Sequence, residues 1–202
     1  MYGLHLSVVV KGAGGSGKKT AIHWATQKTG VHLIEVNCFD VLGDTDTHTE
    51  GVLRARFEAA ASCGPAVFVL YNIDALARKS QAVETGQEPA MSNILRDCID
   101  KLKNKVATTT PYQPVAVFGT TSDAEKCPDG ILACFKHEVN IDAPNEAQRH
   151  EILQASAKGS PLSPDANLKE VATQTAALVA ADLVDLVARA RLASVERVKK
   201  AL

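Results

Sequence analysis

The sequence has little of what marks several specialised classes of protein. Aromatic residues make up only 4% of its 202 residues. No apolar run approaches the roughly 20 residues needed to span a bilayer, and the N-terminus lacks the layout of a signal peptide. The five cysteines lie far apart, are odd in number and form no C-x-x-C pair, which argues against a disulfide framework and a zinc site. We therefore expect no transmembrane segment and a reducing compartment.

An excess of charge of either sign is also missing. The chain has 22 basic and 23 acidic residues, for a net charge of −1. This balance gives no electrostatic footprint for nucleic acid, so we expect no nucleic-acid partner and disfavour a clamp-loader-like subunit that handles DNA. What the chain does have is 46% hydrophobic residues, arranged in short runs between glycine and proline breaks. Its length suits one α/β domain with a small satellite.

The chain is organised around an apolar run that breaks into glycines and then into a helix-forming segment. The spacing Gly12-x4-Gly17-Lys18 is that of a P-loop, in which backbone N–H groups converge on phosphate oxygens and a lysine reaches the β- and γ-phosphates. The alternative is a glycine-rich turn that binds nothing. The candidate cofactor-binding residues, for ATP, are Gly12, Gly14, Gly15, Ser16, Gly17, Lys18, Lys19 and Thr20.

Residue 19 departs from the P-loop pattern. The pattern has Ser or Thr at this place to hold Mg²⁺, but the ammonium of Lys19 has no lone pair and cannot be a metal ligand. Lys19 can instead offset phosphate charge itself. We therefore predict that ATP binds with weak or no dependence on Mg²⁺, and we assign no metal ligand in this chain.

Strand and helix patterns alternate over residues 1–143 and then give way to helices alone. Because hairpin signals are absent, the alternation predicts a parallel sheet flanked by helices, followed by a small helical lid over residues 144–202. A polar surface loop is expected at residues 77–89. The predicted strands are residues 6–11, 31–36, 66–70, 114–120 and 137–141, and the predicted helices are residues 18–29, 91–105, 146–157, 167–174 and 180–202, with a further one opening at residues 47–50.

Helical periodicity predicts which side chains face the core. In the first helix we expect Ile22, Ala25 and Thr29 to share the buried face, and Trp24 to be buried rather than exposed. In the second long helix the apolar positions are Leu53, Phe57, Ala60 and Ala61. On the outer face of that helix, Glu50, Arg54 and Glu58 are spaced to pair at i, i+4.

Taken in order, these segments resemble an AAA+ ATPase module over roughly residues 6–200. The markers are the P-loop, residues 67–76 in the Walker B place, residues 119–122 in the sensor-1 place, residues 143–149 leading into the lid, and residues 180–183 near the sensor-2 turn. Residues 33–40, together with residues 134–138, narrow the resemblance to the first, degenerate AAA domain of the fungal peroxisomal-biogenesis ATPases of the peroxin-six type.

Four departures from the active AAA+ pattern bear on hydrolysis. The first is Lys19. The second is that Walker B ends in Tyr71 and Asn72 where the pattern has Asp and Glu, and neither Tyr71 nor Asn72 can replace a carboxylate as a base. Sensor 1 is Ser122 instead of Asn, and the arginine-finger places fall on Cys134 and His137. We therefore assign no catalytic residue and expect very weak or no hydrolysis. Tyr71 and Asn72 can alternatively be strand-end residues that satisfy local hydrogen bonds.

The resemblance implies a structural or regulatory tier in a hetero-hexameric ring with a related, hydrolysis-competent peroxisomal ATPase. Through the parent protein it implies a peroxisomal membrane anchor, an import receptor extracted from the membrane as substrate, and a place on the cytosolic face of the peroxisome membrane. In the place of the pore loop, residues 43–47 contain no aromatic residue and form either a solvated turn or an electrostatic lining of the pore. The alternative function is a catalytically active P-loop NTPase of another class.

Overall fold

A computed structural model of the chain describes residues 6–77, 90–108, 114–159, 162–163 and 165–201. The surface loop expected at residues 77–89 lies outside the described residues from residue 78 onward. The elements in chain order are β1 Ser7–Lys11, α1 Lys18–Thr29, β2 His32–Asn37, α2 Cys38–Val41, α3 Asp46–Ala61, β3 Ala66–Tyr71, a 3-10 turn at Ile73–Ala77, α4 Ala90–Thr108, β4 Val115–Thr121, α5 Asp129–Leu132, β5 His137–Asn140, α6 Glu146–Ala157, α7 Leu168–Gln174 and α8 Ala180–Ala201.

The strands of the described residues form one parallel sheet in the order β2-β3-β4-β1-β5. On the inner strand β1, which lies between β4 and β5, Val9 is in register with Gly119 of β4 and with Glu138 of β5. The predicted parallel α/β class is therefore confirmed. Because the strands are parallel, the carboxyl ends of β1, β2, β3 and β4 meet at one edge of the sheet, where the loop after β1 begins.

Helices α3 and α4 cover the sheet with a continuous apolar core. Leu53 of α3 and Leu95 of α4 are fully buried in the same cluster as Phe68 of β3. Phe57 meets Phe68 edge to face, with the two ring centroids 4.8 Å apart. The apolar face predicted for α3 is thus correct, since Ala60 is also fully buried.

The buried face predicted for α1 is only partly correct. Ile22 is buried, but Ala25 and Thr29 are exposed and Thr26 is buried in their place. A threonine is tolerated there because its hydroxyl donates to the backbone carbonyls of Ile22, at 3.1 Å, and of His23, at 2.8 Å. A polar residue that satisfies its own hydroxyl within the helix is not distinguishable by periodicity from one that faces water.

The expected burial of Trp24 is wrong, and the pairing expected for Arg54 is only partly correct. Trp24 is 62% exposed, and its ring lies 5.8 Å from the Lys28 ammonium. Arg54 pairs with Glu50 as expected, but its second partner is Asp97 of α4, at 2.6 Å, instead of Glu58. For Arg54, a contact with a neighbouring helix decides the outcome, and spacing along one helix does not contain that information.

By their contacts, the described residues fall into two compact units. One consists of the described residues up to Gly12 together with Lys18–Asn140, and the other consists of Ala13–Gly17 and Ile141–Leu202. In the second unit, helices α6, α7 and α8 pack together around Leu153, Ala172 and Leu183. The chain therefore ends in a helical unit that also includes the glycine-rich loop.

Candidate functional site

The glycine-rich loop between β1 and α1 has positive φ angles at three glycines. Gly12 has φ of 156°, Gly15 has φ of 78° and Gly17 has φ of 96°, a region that favours glycine. The Ser16 amide donates to the Ala13 carbonyl at 3.1 Å and closes a tight turn. The Ser16 hydroxyl is buried and has no hydrogen-bond partner in the structure. A phosphate oxygen is an acceptor that would satisfy it, so the loop fits a phosphate group.

Gly15 also marks a close approach to the start of α8. The Ala181 amide donates to the Gly15 carbonyl at 3.0 Å. A Cβ at residue 15 would lie 2.8 Å from the Ala181 Cβ and 3.1 Å from a methyl group of Val179. The segment that the sequence places near the sensor-2 turn is therefore in contact with the loop, through backbone and small side chains.

Lys18 is a buried lysine at the start of α1. Its Nζ donates to the Gly12 carbonyl at 2.7 Å and to the Ser122 hydroxyl at 3.3 Å. Burial lowers the pKa of Lys18, and the charge of Asp74 partly opposes this effect. Asp74 is itself buried and accepts a hydrogen bond from the Thr121 hydroxyl at 3.0 Å. The fold thus brings together two residues that the sequence singled out from distant segments, Lys18 and Ser122.

Lys19 points to a different set of partners. Its ammonium lies 3.1 Å from Glu35 Oε1 on β2 and 5.1 Å from the centroid of the Tyr71 ring. The same Glu35 oxygen accepts from the Tyr71 hydroxyl at 2.8 Å and is 2.8 Å from His23 Nε2. These contacts, led by the hydrogen bond to His23, lower the pKa of Glu35 to about 2. Burial, together with Glu35, raises the pKa of Tyr71.

We define Lys19, His23, Glu35 and Tyr71 as the Glu35 cluster. Sequence reasoning found Lys19 and Tyr71 as departures from a motif, but it missed Glu35 and His23. Glu35 lies within an otherwise apolar strand, in the run Leu33-Ile34-Glu35-Val36, and this interruption was the available signal. The pairing of β2 with β3 places Glu35 opposite Val69 and Asn37 opposite Tyr71. Glu35 and Tyr71 are therefore diagonal neighbours on adjacent strands, and their side chains can meet.

The end of β3 contains no carboxylate at the two Walker B places. Asn72 has a left-handed backbone, with φ of 57°, and its side-chain amide donates to Asn37 Oδ1 at 3.0 Å. Its backbone amide donates to the Thr120 hydroxyl at 3.4 Å. Tyr71 and Asn72 therefore both make local hydrogen bonds between neighbouring strands, which is the alternative that the sequence left open.

The residues at this edge do not fit a magnesium ion. Lys19 and Tyr71 stand where a P-loop enzyme has a hydroxyl ligand and a carboxylate, and the Lys19 ammonium cannot donate a lone pair. Within the described ranges, no group of three or more His, Cys, Asp or Glu side chains could hold a metal ion.

The two residues in the arginine-finger places differ in exposure. Cys134 is buried, and its thiol contacts the carbonyls of Gly130, at 3.3 Å, and Ser92, at 3.5 Å. His137 is exposed at the start of β5. A buried thiol held inside its own domain cannot extend to a neighbouring protein.

The segment in the pore-loop place is a helix cap. The Thr45 hydroxyl accepts from the His48 amide at 3.2 Å at the start of α3, and the Gly43 amide donates to the Thr49 hydroxyl at 3.0 Å. Asp44 and Asp46 are exposed. Of the two alternatives, these contacts favour the solvated turn.

In the part of the chain that the structure describes, no helix is long and apolar enough to cross a bilayer.

Comparison with known proteins points to one family. Residues 8–143 match the family model of the "ATPase family associated with various cellular activities (AAA)". A solved structure entitled "Structural Basis for Katanin Self-Assembly" superposes with a TM-score of 0.73 at 21% identity, over 95% of this chain and 60% of that one. At this identity the structural match supports the fold alone.

Curated relatives are consistent in name. The "Peroxisomal ATPase PEX6" of Colletotrichum orbiculare is 35% identical over 184 residues, which are 88% of this chain and 12% of that protein. The proteins of the same name from Mus musculus and Homo sapiens are each 32% identical, over 95% and 96% of this chain and 19% of their own length. The chain thus spans less than a fifth of these relatives.

Proposed function

The chain belongs to the AAA family of ATPases and resembles the PEX6-type members over most of its length, and from this premise we propose that it is an ATP-binding domain that hydrolyses ATP very weakly or not at all. One observation carries the proposal. A P-loop with a buried lysine stands beside Walker B places that hold Tyr71 and Asn72.

The loop supports phosphate binding in three ways. Its left-handed glycines allow close backbone approach to a ligand, and the unpaired Ser16 hydroxyl is a ready donor. Lys18 is held at the mouth of the loop by the Gly12 carbonyl and Ser122. Phosphate oxygens carry negative charge and are stronger acceptors for the Lys18 ammonium than the neutral Gly12 carbonyl and Ser122 hydroxyl. The motif residues Gly12, Gly14 and Thr20 complete the proposed phosphate site.

We propose that binding depends weakly or not at all on Mg²⁺. The donor set for the metal is missing, and Lys19 supplies a positive charge at that place. The same substitutions oppose hydrolysis. A positioned general base contributes roughly 10²–10⁴ in rate, and an arginine finger roughly 10³–10⁵. These factors are not additive, but the loss of one already removes most turnover.

At the level of the parent protein, we propose a role in a hetero-hexameric ring with a related, hydrolysis-competent peroxisomal ATPase. The names of the relatives support a peroxisomal role, on the cytosolic face of the membrane. There the ring would engage a membrane anchor and extract the import receptor. In such a ring this domain, the first and degenerate AAA domain, would help to fix how neighbouring subunits pack. Bound nucleotide would order the loop, and the loop contacts the start of α8 in its own unit.

A thermal-unfolding assay tests nucleotide binding directly. At ATP a hundredfold above its dissociation constant, linkage stabilises the folded state by about 2.7 kcal/mol, which corresponds to a rise of roughly 5–10 °C in Tm for a chain of this size. Lys18→Ala should abolish the rise. Lys28→Ala, on the exposed end of the same helix, is the matched control and should retain it. No response of the unaltered chain to millimolar ATP would contradict the proposal.

Repeating the assay in EDTA and in excess Mg²⁺ tests the metal dependence. The unaltered chain should respond about equally to ATP in both buffers, because Lys19 replaces the hydroxyl ligand of the motif and Tyr71 and Asn72 replace the two Walker B carboxylates. Lys19→Thr, which restores the residue type of the motif, should respond more strongly when Mg²⁺ is present. An equal loss of response in EDTA for both proteins would contradict the proposed metal independence.

A further inference from the structure

One carboxylate oxygen, Oε1 of Glu35, is shared by three donors from two different elements. His23 Nε2 and the Tyr71 hydroxyl each lie 2.8 Å from it, and the Lys19 ammonium lies 3.1 Å from it. Lys19 belongs to the loop motif, whereas Glu35 stands on β2 and Tyr71 ends β3. A residue of the proposed phosphate site is therefore already bound to an anion supplied by the protein itself.

Lys19 is the most weakly held of the three donors. Its contact is the longest, and its side chain is 63% exposed, against 36% for His23. An exposed ion pair of this kind contributes little to stability. If the Lys19 ammonium leaves, Glu35 still keeps the hydrogen bonds from His23 and Tyr71. The carboxylate is therefore not left unpaired, and the departure of Lys19 costs little.

The place of Lys19 in the motif gives it an alternative partner. In a P-loop site the metal bound through this residue bridges the β- and γ-phosphate oxygens. We propose that Glu35 competes with the nucleotide for Lys19: the ammonium is held on Glu35 when the loop is empty, and it transfers to the β- and γ-phosphates of metal-free ATP when ATP binds. Glu35 is thus a positioning residue that limits affinity. This inference rests on the proposed function, ATP binding at the loop.

The exchange has a consequence for nucleotide choice. An ADP molecule lacks the γ-phosphate and offers Lys19 fewer oxygens and less charge. The ammonium therefore gains less electrostatic energy when it transfers from Glu35 to ADP. Lys19 itself should therefore favour the triphosphate over the diphosphate, and Glu35, which holds Lys19 back, should reduce that preference. Removal of the Glu35 charge should strengthen ATP binding more than ADP binding.

The experiment is a double-substitution cycle on ATP and ADP affinity, measured by calorimetry in EDTA and 0.15 M salt. At this salt concentration, exposed charges more than about 8 Å apart are largely screened. Glu35→Gln keeps an acceptor oxygen for Tyr71 but removes the charge. Lys19→Met keeps the aliphatic stem but removes the ammonium. Asp100→Asn, which breaks an exposed pair with Lys103 on α4, is the matched control for loss of one negative charge. Circular dichroism establishes that each variant is folded.

We expect Glu35→Gln to tighten ATP about two- to fivefold, the range that corresponds to one surface ion pair, and to tighten ADP less. Lys19→Met should weaken ATP, Glu35→Gln should have no more than a small effect when it is combined with Lys19→Met, and Asp100→Asn should have none. An unchanged affinity in Glu35→Gln, or a tightening as large in the double variant as in the single one, would overturn the inference alone, because Glu35 would then act without Lys19. Absence of ATP binding in the unaltered chain would instead contradict the proposed function and this inference with it.

Discussion

The three central glycines of the loop offer a graded test of how the loop is built. Gly14 has an ordinary backbone and open space around it, because no atom lies within 4 Å of an added Cβ. Gly17 has φ of 96° but the same open space. Gly15 combines φ of 78° with a Cβ position only 2.8 Å from the Ala181 Cβ. Alanine at these three positions therefore isolates backbone strain from steric overlap.

The expected costs follow from these two terms. A left-handed backbone costs a non-glycine residue about 1–2 kcal/mol, and overpacking adds about 1–3 kcal/mol. Gly14→Ala should thus change the free energy of unfolding by less than about 0.5 kcal/mol. Gly17→Ala should lower it by about 1–2 kcal/mol through strain alone. Gly15→Ala should lower it by about 2–5 kcal/mol through strain and overlap together.

Urea unfolding of the three variants measures this order. Hydrogen exchange of the Ala181 amide supplies a local reading, since that amide donates to the Gly15 carbonyl. If the loop escapes the overlap by moving away from α8, Gly15→Ala should lose protection at Ala181 while Gly17→Ala keeps it. Equal effects at all three positions, or a larger effect at Gly14 than at Gly15, would show that backbone strain and the contact with Ala181 do not set the stability of the loop.

Two further predictions concern stability in each unit. The folded-state pKa of Glu35 lies near 2, below its ordinary value of 4.5, so its contribution to stability is present above pH 4.5 and is lost as the pH falls toward 2. The urea midpoint of Glu35→Gln should therefore fall less steeply over this interval than that of the unaltered chain, and parallel curves would argue against the cluster. Arg149 is buried and donates to the carbonyls of Pro144, at 2.8 Å, and Ala172, at 2.9 Å. Arg149→Met should cost about 2–5 kcal/mol in urea unfolding because both carbonyls lose a donor, whereas the exposed Arg189→Met should cost almost nothing, and equal costs would contradict this role.

The parallel sheet could be predicted from the sequence because the inner strands β1, β3 and β4 are largely apolar runs. Residues such as Val8, Val9 and Phe68 are buried whichever face of the sheet they occupy, so the prediction does not depend on knowing their neighbours. Helix α1 was harder for the opposite reason. The buried face of α1 includes Lys18 and Thr26, which are polar, and Trp24 of the same helix is exposed to solvent.

The residues of the candidate site that are close in sequence could be predicted, but the contacts between residues of different elements could not. The loop glycines and Lys18 are close in sequence, and their spacing alone identifies them. The partner of Lys19 is Glu35 on β2. Glu35 also accepts a hydrogen bond from the Tyr71 hydroxyl, and this contact depends on the placement of β2 beside β3. In the same way, Arg54 finds Asp97 across two helices instead of Glu58 on its own. Pairings between elements require the fold, and here they determine what Lys19 does.

We propose that this domain binds ATP without turning it over, and the decisive experiment measures phosphate release and ATP binding on the same sample. The unaltered chain should bind ATP and release phosphate at the background rate. Tyr71→Asp combined with Asn72→Glu should also stay at background, because Lys19 and the missing arginines still leave the transition state unsupported. Steady phosphate release by the unaltered chain that Lys18→Ala removes would contradict the account and favour a catalytically active P-loop NTPase.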